Sequence, residues 1–195
     1  ALEADGRIDV QVHHDERDAA FVALGVGLAT GVPAVVVTTS GTAAAELLPA
    51  VVEADLSCVP LLAVTADRPP EAADVGAAQT IDQRRLFGRR VRLDEEPGVP
   101  VLATSGTWRA RAARVVLEAV GALGGRPGPV HLDLAFREPL VGRPVVVPPG
   151  RAHGAPWLRA VSTRPTVDRE GLDVLVAGAR RGLVVAGAEP GTRGV

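Results

Sequence analysis

Glu16 closes the run Val12-His13-His14-Asp15-Glu16-Arg17, where the alternating apolar residues Ile8, Val10 and Val12 give way to a long apolar segment near Asp18. The alternation predicts a strand over 7–12, and the apolar segment predicts a buried helix over 18–30. A carboxylate at a strand-to-helix junction of a parallel α/β sheet sits on the edge where ligands bind, and there it can act as an acid–base group. Two further segments share this grammar of strand followed by polar turn. They are Val35-Val36-Val37-Thr38-Thr39-Ser40-Gly41-Thr42 and Leu61-Leu62-Ala63-Val64-Thr65-Ala66-Asp67-Arg68-Pro69-Pro70. Together the three loops can build one site around Glu16.

Each group also has an ordinary reading. A glutamate in a first helical turn complements the helix dipole. Ser40-Gly41-Thr42 either cradles an anion through backbone N–H groups or simply caps a helix. Arg68, followed by two prolines, suits a bidentate carboxylate, or else a surface ion pair with Asp67 or Glu71. His13 and His14, as neighbours on a strand, face opposite ways and have no ligand-spaced companions, so no metal site is expected. Cys58 reads as a small buried hydrophobe. No Gly-Lys-Ser/Thr follows Gly41, so this is not a P-loop, and Gly25-Val26-Gly27 lies inside a helix, which excludes a dinucleotide fingerprint.

The elements that must position these groups alternate between strand and helix. Residues 34–38 form a β-branched run expected of a central parallel strand covered on both faces. A helix is expected from Ala43 to about Asp55, broken by Pro49. Strands follow at 60–66, nearer an edge at 89–94, and at 129–134, with a surface helix over 105–124 that turns Val115, Val116, Ala119 and Val120 inward. This order predicts a doubly wound, mostly parallel α/β domain over 1–142. Residues 143–166 carry five prolines and read as an extended linker. A helix over 167–178 and a strand over 182–187 read as the start of a second α/β domain over 167–195.

Composition narrows the function classes. The 195 residues are 47% hydrophobic with a net charge of −2, a well-cored chain without the basic stripe that nucleic acid requires. No apolar run approaches the roughly 20 residues that span a bilayer. One cysteine fits a reducing cytosol. All 21 basic residues are arginine, a bias of genome composition and not of function. There is no methionine, so the chain is expected to be an excerpt of a longer protein.

The wording of five motifs carries more than any one of them. These are His13 to Phe21, Thr39-Ser40-Gly41-Thr42-Ala43 with Pro49-Ala50 and Glu53-Ala54, Thr65-Ala66-Asp67-Arg68-Pro69-Pro70-Glu71, Val75 to Gln83, and Gly128 to Asp133 with Phe136 to Leu140. In this order they closely resemble the thiamine-diphosphate-dependent 2-succinyl-5-enolpyruvyl-6-hydroxy-3-cyclohexene-1-carboxylate synthases of menaquinone biosynthesis. The resemblance is detailed over 7–142 and looser beyond.

The resemblance implies a pyrimidine-binding domain followed by the start of a central domain. Glu16 then faces N1′ of the cofactor's aminopyrimidine and shares a proton with it, and Ser40, Gly41 and Thr42 form the loop beside that ring. Arg68 meets a substrate carboxylate, and Gln79 meets both cofactor and substrate. The implied substrates are 2-oxoglutarate and isochorismate, with release of CO2. The implied Mg²⁺ is bound by a diphosphate domain absent from this chain, in a cytoplasmic homo-oligomer whose subunits share each site. Ala78 and Glu46 stand where the family commonly has Asn, and the family's substrate-arginine loop is expected upstream of Ala1. A related enzyme of the acetolactate synthase type and a non-catalytic docking module are the competing readings.

Overall fold

The computed structural model describes residue 6 and residues 8–142, 149–161 and 168–183. Its centre is a parallel sheet of order β1-β2-β4-β3, made of β1 (Ala34–Thr38), β2 (Leu61–Asp67), β3 (Asp94–Glu95) and β4 (Pro129–Ala135). Helices α1 (Glu16–Thr30), α2 (Thr42–Ala45), α3 (Leu48–Leu56), α4 (Trp108–Ala119) and α5 (Arg169–Ala177) complete the α/β architecture.

Alternation along β2 shows why the sheet is covered on both sides. Leu61 and Ala63 pack with Ala20, Ala23 and Leu24 of α1 and Ala50, Val51 and Ala54 of α3. Leu62 points the other way, into a smaller core with Val115 and Ala119 of α4 and Val130 of β4. Side chains of period two meet helices on opposite faces, so β2 reads as one apolar run.

Ala20, Ala23, Leu24 and Gly27 form the buried face of α1, at helical spacing. The two internal glycines differ in their reasons. A Cβ on Gly27 would lie 2.5 Å from Pro60 O and 2.8 Å from Val59 Cγ1, whereas one on Gly25 meets nothing within 4 Å. Close approach of α1 to the start of β2 therefore requires glycine at 27 alone. Gly31, at φ 72°, ends the helix with its N–H on Gly27 O.

The expected helix over 43–55 is divided at Glu46 and Leu47 into α2 and α3, and Pro49 falls in the first turn of α3, where its missing N–H leaves no bond unmade. The surface helix expected over 105–124 starts as a 3₁₀ turn (Leu102–Thr107) and becomes α4 at Trp108, with Val116 exposed.

Other expectations are corrected. Residues 8–12 form no strand, and Val12 is 87% exposed. Alternation prepares a strand but supplies no ladder partner, and none lies beside these residues among those described. β1 is consequently an edge strand of the described sheet, with Val35 and Val37 exposed, and is not covered on both faces. Over 89–94 a 3₁₀ turn (Gly88–Arg90) replaces the first half of the strand, because Arg90 and Arg92 both turn to Asp55 of α3, at 3.2 and 2.5 Å. Beyond it Arg92 N–H and Leu93 O bond to β4.

Much of the Pro-rich stretch and the expected strand over 182–187 from residue 184 onward lie outside the described residues. Within the stretch, Trp157 lies 5.6 Å from the guanidinium carbons of both Arg109 and Arg151, and Arg109 donates to Pro149 O, which ties this segment to the start of α4.

The two α1 glycines make a paired prediction for urea unfolding. Gly27→Ala should destabilise the chain by about 1–3 kcal/mol through overpacking, and Gly25→Ala should stabilise it by about 0.4–1 kcal/mol. Equal effects at the two positions would remove the close-approach account.

Candidate functional site

All strands among the described residues run parallel, so the ends of β1, β2 and β4 share one edge of the sheet, with Thr38, Thr65 and Asp133 in register across it. Loops leaving that edge, together with the start of α1, bring Glu16, Ser40, Thr42 and Gln79 around a cavity of about 390 Å³, with Asp15, Arg17, Thr39 and Glu46 also on its walls. Gly41 joins Ser40 to Thr42 behind them. Four of the six residues singled out from sequence therefore line one pocket and a fifth shapes it. Arg68 lines a neighbouring cavity instead.

At the start of α1 two adjacent carboxylates have different duties. Asp15 is the N-cap, and its Oδ1 accepts the Arg17 N–H at 2.9 Å. The same carboxylate takes the Arg17 guanidinium at 2.8 and 3.2 Å, and these side-chain hydrogen bonds hold Asp15 down to about 2. Glu16 is half-buried and makes no hydrogen bond or salt bridge among the described residues. Asp15 thus supplies the cap, while Glu16 keeps the first-turn place that complements the helix dipole and also lines the cavity. Glu46 stands 3.5 Å from Arg17 Nε.

The turn after β1 is a glycine conformation. Gly41 has φ 82° and ψ −137°, a region essentially closed to other residues, and a Cβ there would sit 3.2 Å from Gln79. Gln79, itself at φ 58°, donates from Nε2 to Thr39 Oγ1 at 3.0 Å and to Ser40 O at 3.2 Å, while Ser40 Oγ donates to Gln79 O at 2.9 Å. These contacts join the β1–α2 turn to the 76–83 loop. The anion-cradle reading of Ser40-Gly41-Thr42 fails, because the Gly41 N–H is already taken by Gln83 Oε1 at 2.7 Å and α2 has four residues.

Behind the turn lies a polar network that sequence did not single out. Gln83 is 1% exposed, and its Nε2 donates to Asp133 Oδ1 at 2.9 Å and to Ala66 O at 3.0 Å. Thr65 Oγ1 donates to the same Asp133 oxygen at 2.7 Å and lies 2.9 Å from His131 Nε2. His131, fully buried, stands edge-on to Phe87 at 4.7 Å, and its Nδ1 is 3.3 Å from Asp94 Oδ2. One signal was available: Thr65, His131 and Asp133 interrupt runs that are otherwise apolar, and buried polar groups demand partners.

The second cavity, about 550 Å³, is lined by Asp67, Arg68, Asp82, Gln83, Arg84, Glu96 and Asp133 among others. The Arg68 backbone N–H donates to Asp67 Oδ1 at 2.7 Å. Its guanidinium makes no salt bridge among the described residues, and its Nε is buried without a hydrogen-bond partner. Glu71 pairs with Arg137 instead, whose hydrogen bonds hold Glu71 down to about 2. The surface-pair reading of Arg68 is thereby removed. Burial pushes Asp67, Glu96 and Asp133 upward, with neighbouring carboxylates adding to the effect. Among the described residues no three His, Cys, Asp or Glu side chains are grouped to hold a metal ion, and no helix is long and apolar enough to cross a membrane.

Comparison with known proteins adds ancestry to this geometry. The family of thiamine pyrophosphate enzymes, N-terminal TPP-binding domain, matches residues 1–86. A 2-succinyl-5-enolpyruvyl-6-hydroxy-3-cyclohexene-1-carboxylate synthase of Leifsonia xyli is 45% identical over 197 aligned residues, covering 98% of this chain and 30% of that protein. The synthase of the same name from Mycobacterium tuberculosis is 42% identical over 179 residues, covering 87% of this chain and 32% of that protein. The chain spans about a third of the length of the curated relatives it matches.

The raised Asp133 generates a pH prediction. A carboxyl that binds its proton more tightly when folded contributes stability below the ordinary carboxylate value, and loses it as pH rises through the raised one. Above about pH 4.5, Asp15 and Glu71, each held down to about 2, are ionised and constant. Asp133→Asn should therefore gain stability relative to the parent between about pH 4.5 and pH 7, followed by thermal unfolding at each pH. An equal difference at both ends of that window would refute the burial account.

Proposed function

The chain belongs to the thiamine pyrophosphate enzymes, and from that premise we propose that it forms the pyrimidine-binding part of a 2-succinyl-5-enolpyruvyl-6-hydroxy-3-cyclohexene-1-carboxylate synthase. The reaction is decarboxylation of 2-oxoglutarate and addition of the resulting four-carbon unit to isochorismate. Residues 1–142 are the binding domain, 143–166 the linker and 167–195 the start of a central domain. The observation that carries the reading is the Glu16 carboxylate, unpartnered among the described residues on the wall of a polar cavity, beside an Asp15 that does the capping.

The cavity's chemistry fits one end of the cofactor. Asp15, Glu16 and Glu46 outnumber Arg17 on its walls, and hydroxyls and an amide supply the rest. Such a lining suits an amine-bearing heterocycle, not a diphosphate. The diphosphate and its Mg²⁺ accordingly belong to another domain, in a cytoplasmic homo-oligomer with shared sites. When bound, thiamine diphosphate supplies the electron sink for losing CO2 and forming the carbon–carbon bond. Glu16 would hold and return a proton at a nitrogen of that ring. Ser40, Gly41, Thr42 and Gln79 would orient the ring, and Gln79 would also contact the substrate. Arg68, with a guanidinium not consumed by Asp67 or Glu71, pairs a substrate carboxylate.

Glu16→Gln keeps size and hydrogen bonding but cannot share the proton. Turnover of 2-oxoglutarate with isochorismate by the complete gene product should fall by about 10²–10⁴-fold. An unchanged rate would return Glu16 to a helix-start role, and turnover of pyruvate in place of 2-oxoglutarate would move the enzyme to the acetolactate synthase type. The 195-residue chain alone, given cofactor and Mg²⁺, should show no carboligation.

A further inference from the structure

Gln83 lies outside the Glu16 cavity, yet its side chain ends on the turn that shapes it. We propose that Gln83 is a positioning residue for the pyrimidine end of the cofactor, acting through Gly41; this rests on the function proposed above. Its amide has one allowed orientation. Gly41 N–H is a donor and must meet Oε1, whereas the Asp133 carboxylate and Ala66 O are acceptors and must meet Nε2. A flipped amide would set donor against donor and acceptor against acceptor.

The turn has little else to hold it from inside. Gly41 precedes α2 in a strained conformation with no side-chain cap, and the Gln79 contacts to Thr39 and Ser40 lie on the exposed or half-buried side. Gln79 packs on Gly41 so closely that a Cβ there would meet its backbone and side chain at 3.2–3.3 Å. Displacement of Gly41 therefore moves Gln79, Ser40 and Thr42, three walls of the cavity, while Glu16 on α1 stays where it is. Gln83 thus acts on how the ring is held and not on the proton that Glu16 shares.

Two substitutions at 83 separate this role from general stability. Leucine removes both ends of the bridge. Ionised glutamate would face the Asp133 carboxylate and Ala66 O with like charge and lone pairs, but protonated glutamate retains one donor and one acceptor. The groups around position 83 are Asp133, Asp67, Asp74, Asp82 and Glu96 with Arg68 and Arg84 on the cavity side, and His131 behind Thr65. Five carboxylates against two arginines favour the protonated form of an added acid there.

The test reads amide exchange of Gly41 by NMR in the 195-residue chain, and kcat and the KM for thiamine diphosphate in the complete gene product. Gln83→Leu should lower the Gly41 protection factor by about tenfold or more and raise the KM for thiamine diphosphate by more than it lowers kcat. Gln83→Glu should match it at about pH 8 and return toward the parent at about pH 5.5. Unchanged Gly41 protection in Gln83→Leu, or lost protection with an unchanged KM, overturns the proposal. If the leucine variant does not fold, Gln83→Glu decides alone: no recovery of Gly41 protection in acid overturns it. Because exchange needs no turnover, a failure of the Glu16 reading leaves a separate signature, an active Glu16→Gln enzyme with Gly41 still dependent on Gln83.

Discussion

A buried amide cannot leave its N–H or its C=O unpaired without a cost of about 1–3 kcal/mol per group. At Gln83 that constraint ties three separate stretches of chain together. The turn after β1 is joined through Gly41 N–H, the end of β2 through Ala66 O, and the end of β4 through Asp133. The two cavities at the sheet edge lie on either side of this tie, since Gln83 lines one and grips the turn that borders the other. The geometry of the edge follows from satisfying one side chain.

The same economy operates at the start of α1. A helix N-terminus needs an acceptor for its first N–H groups, and a chain with Asp15 and Glu16 in succession offers two. Asp15 takes the cap and also Arg17, and both bonds deepen its ionisation. Glu16 needs neither and is left toward the cavity. Along β2 and β4 the logic is reversed: burial pushes Asp67 and Asp133 toward holding protons, so one sheet edge carries a readily ionised carboxylate at one end and reluctant ones at the other.

The helices and the three long strands were legible because each repeats over its own length. Ala20, Ala23, Leu24 and Gly27 show the helical period, and the β-branched run before Thr38 ends where β1 ends. The same alternation misled at Ile8, Val10 and Val12, where the pattern of a strand occurs without a neighbour to pair with. The continuous β-branched run misled in its own way at Val35 and Val37, which read as doubly covered and lie exposed on an edge strand. Glu16, Ser40, Thr42 and Gln79, singled out from the order of their motifs, line one cavity, and Gly41 shapes the turn behind it. Arg68 was singled out in the same way, but its place beside a second cavity was not legible.

By itself the sequence determined the alternation of elements, the ancestry, and the residue types at the ends of the strands, since all three reside in local periods and motif order. Only the tertiary structure decided which carboxylate caps α1, which strand is an edge, and what partners the buried polar groups take. Gln83 meets Gly41 across 42 positions and Thr65 meets Asp133 across 68. Pairings at that separation leave no periodic trace along the chain. They depend on where parallel strands come into register, and register is set by the packing of the whole sheet between its helices.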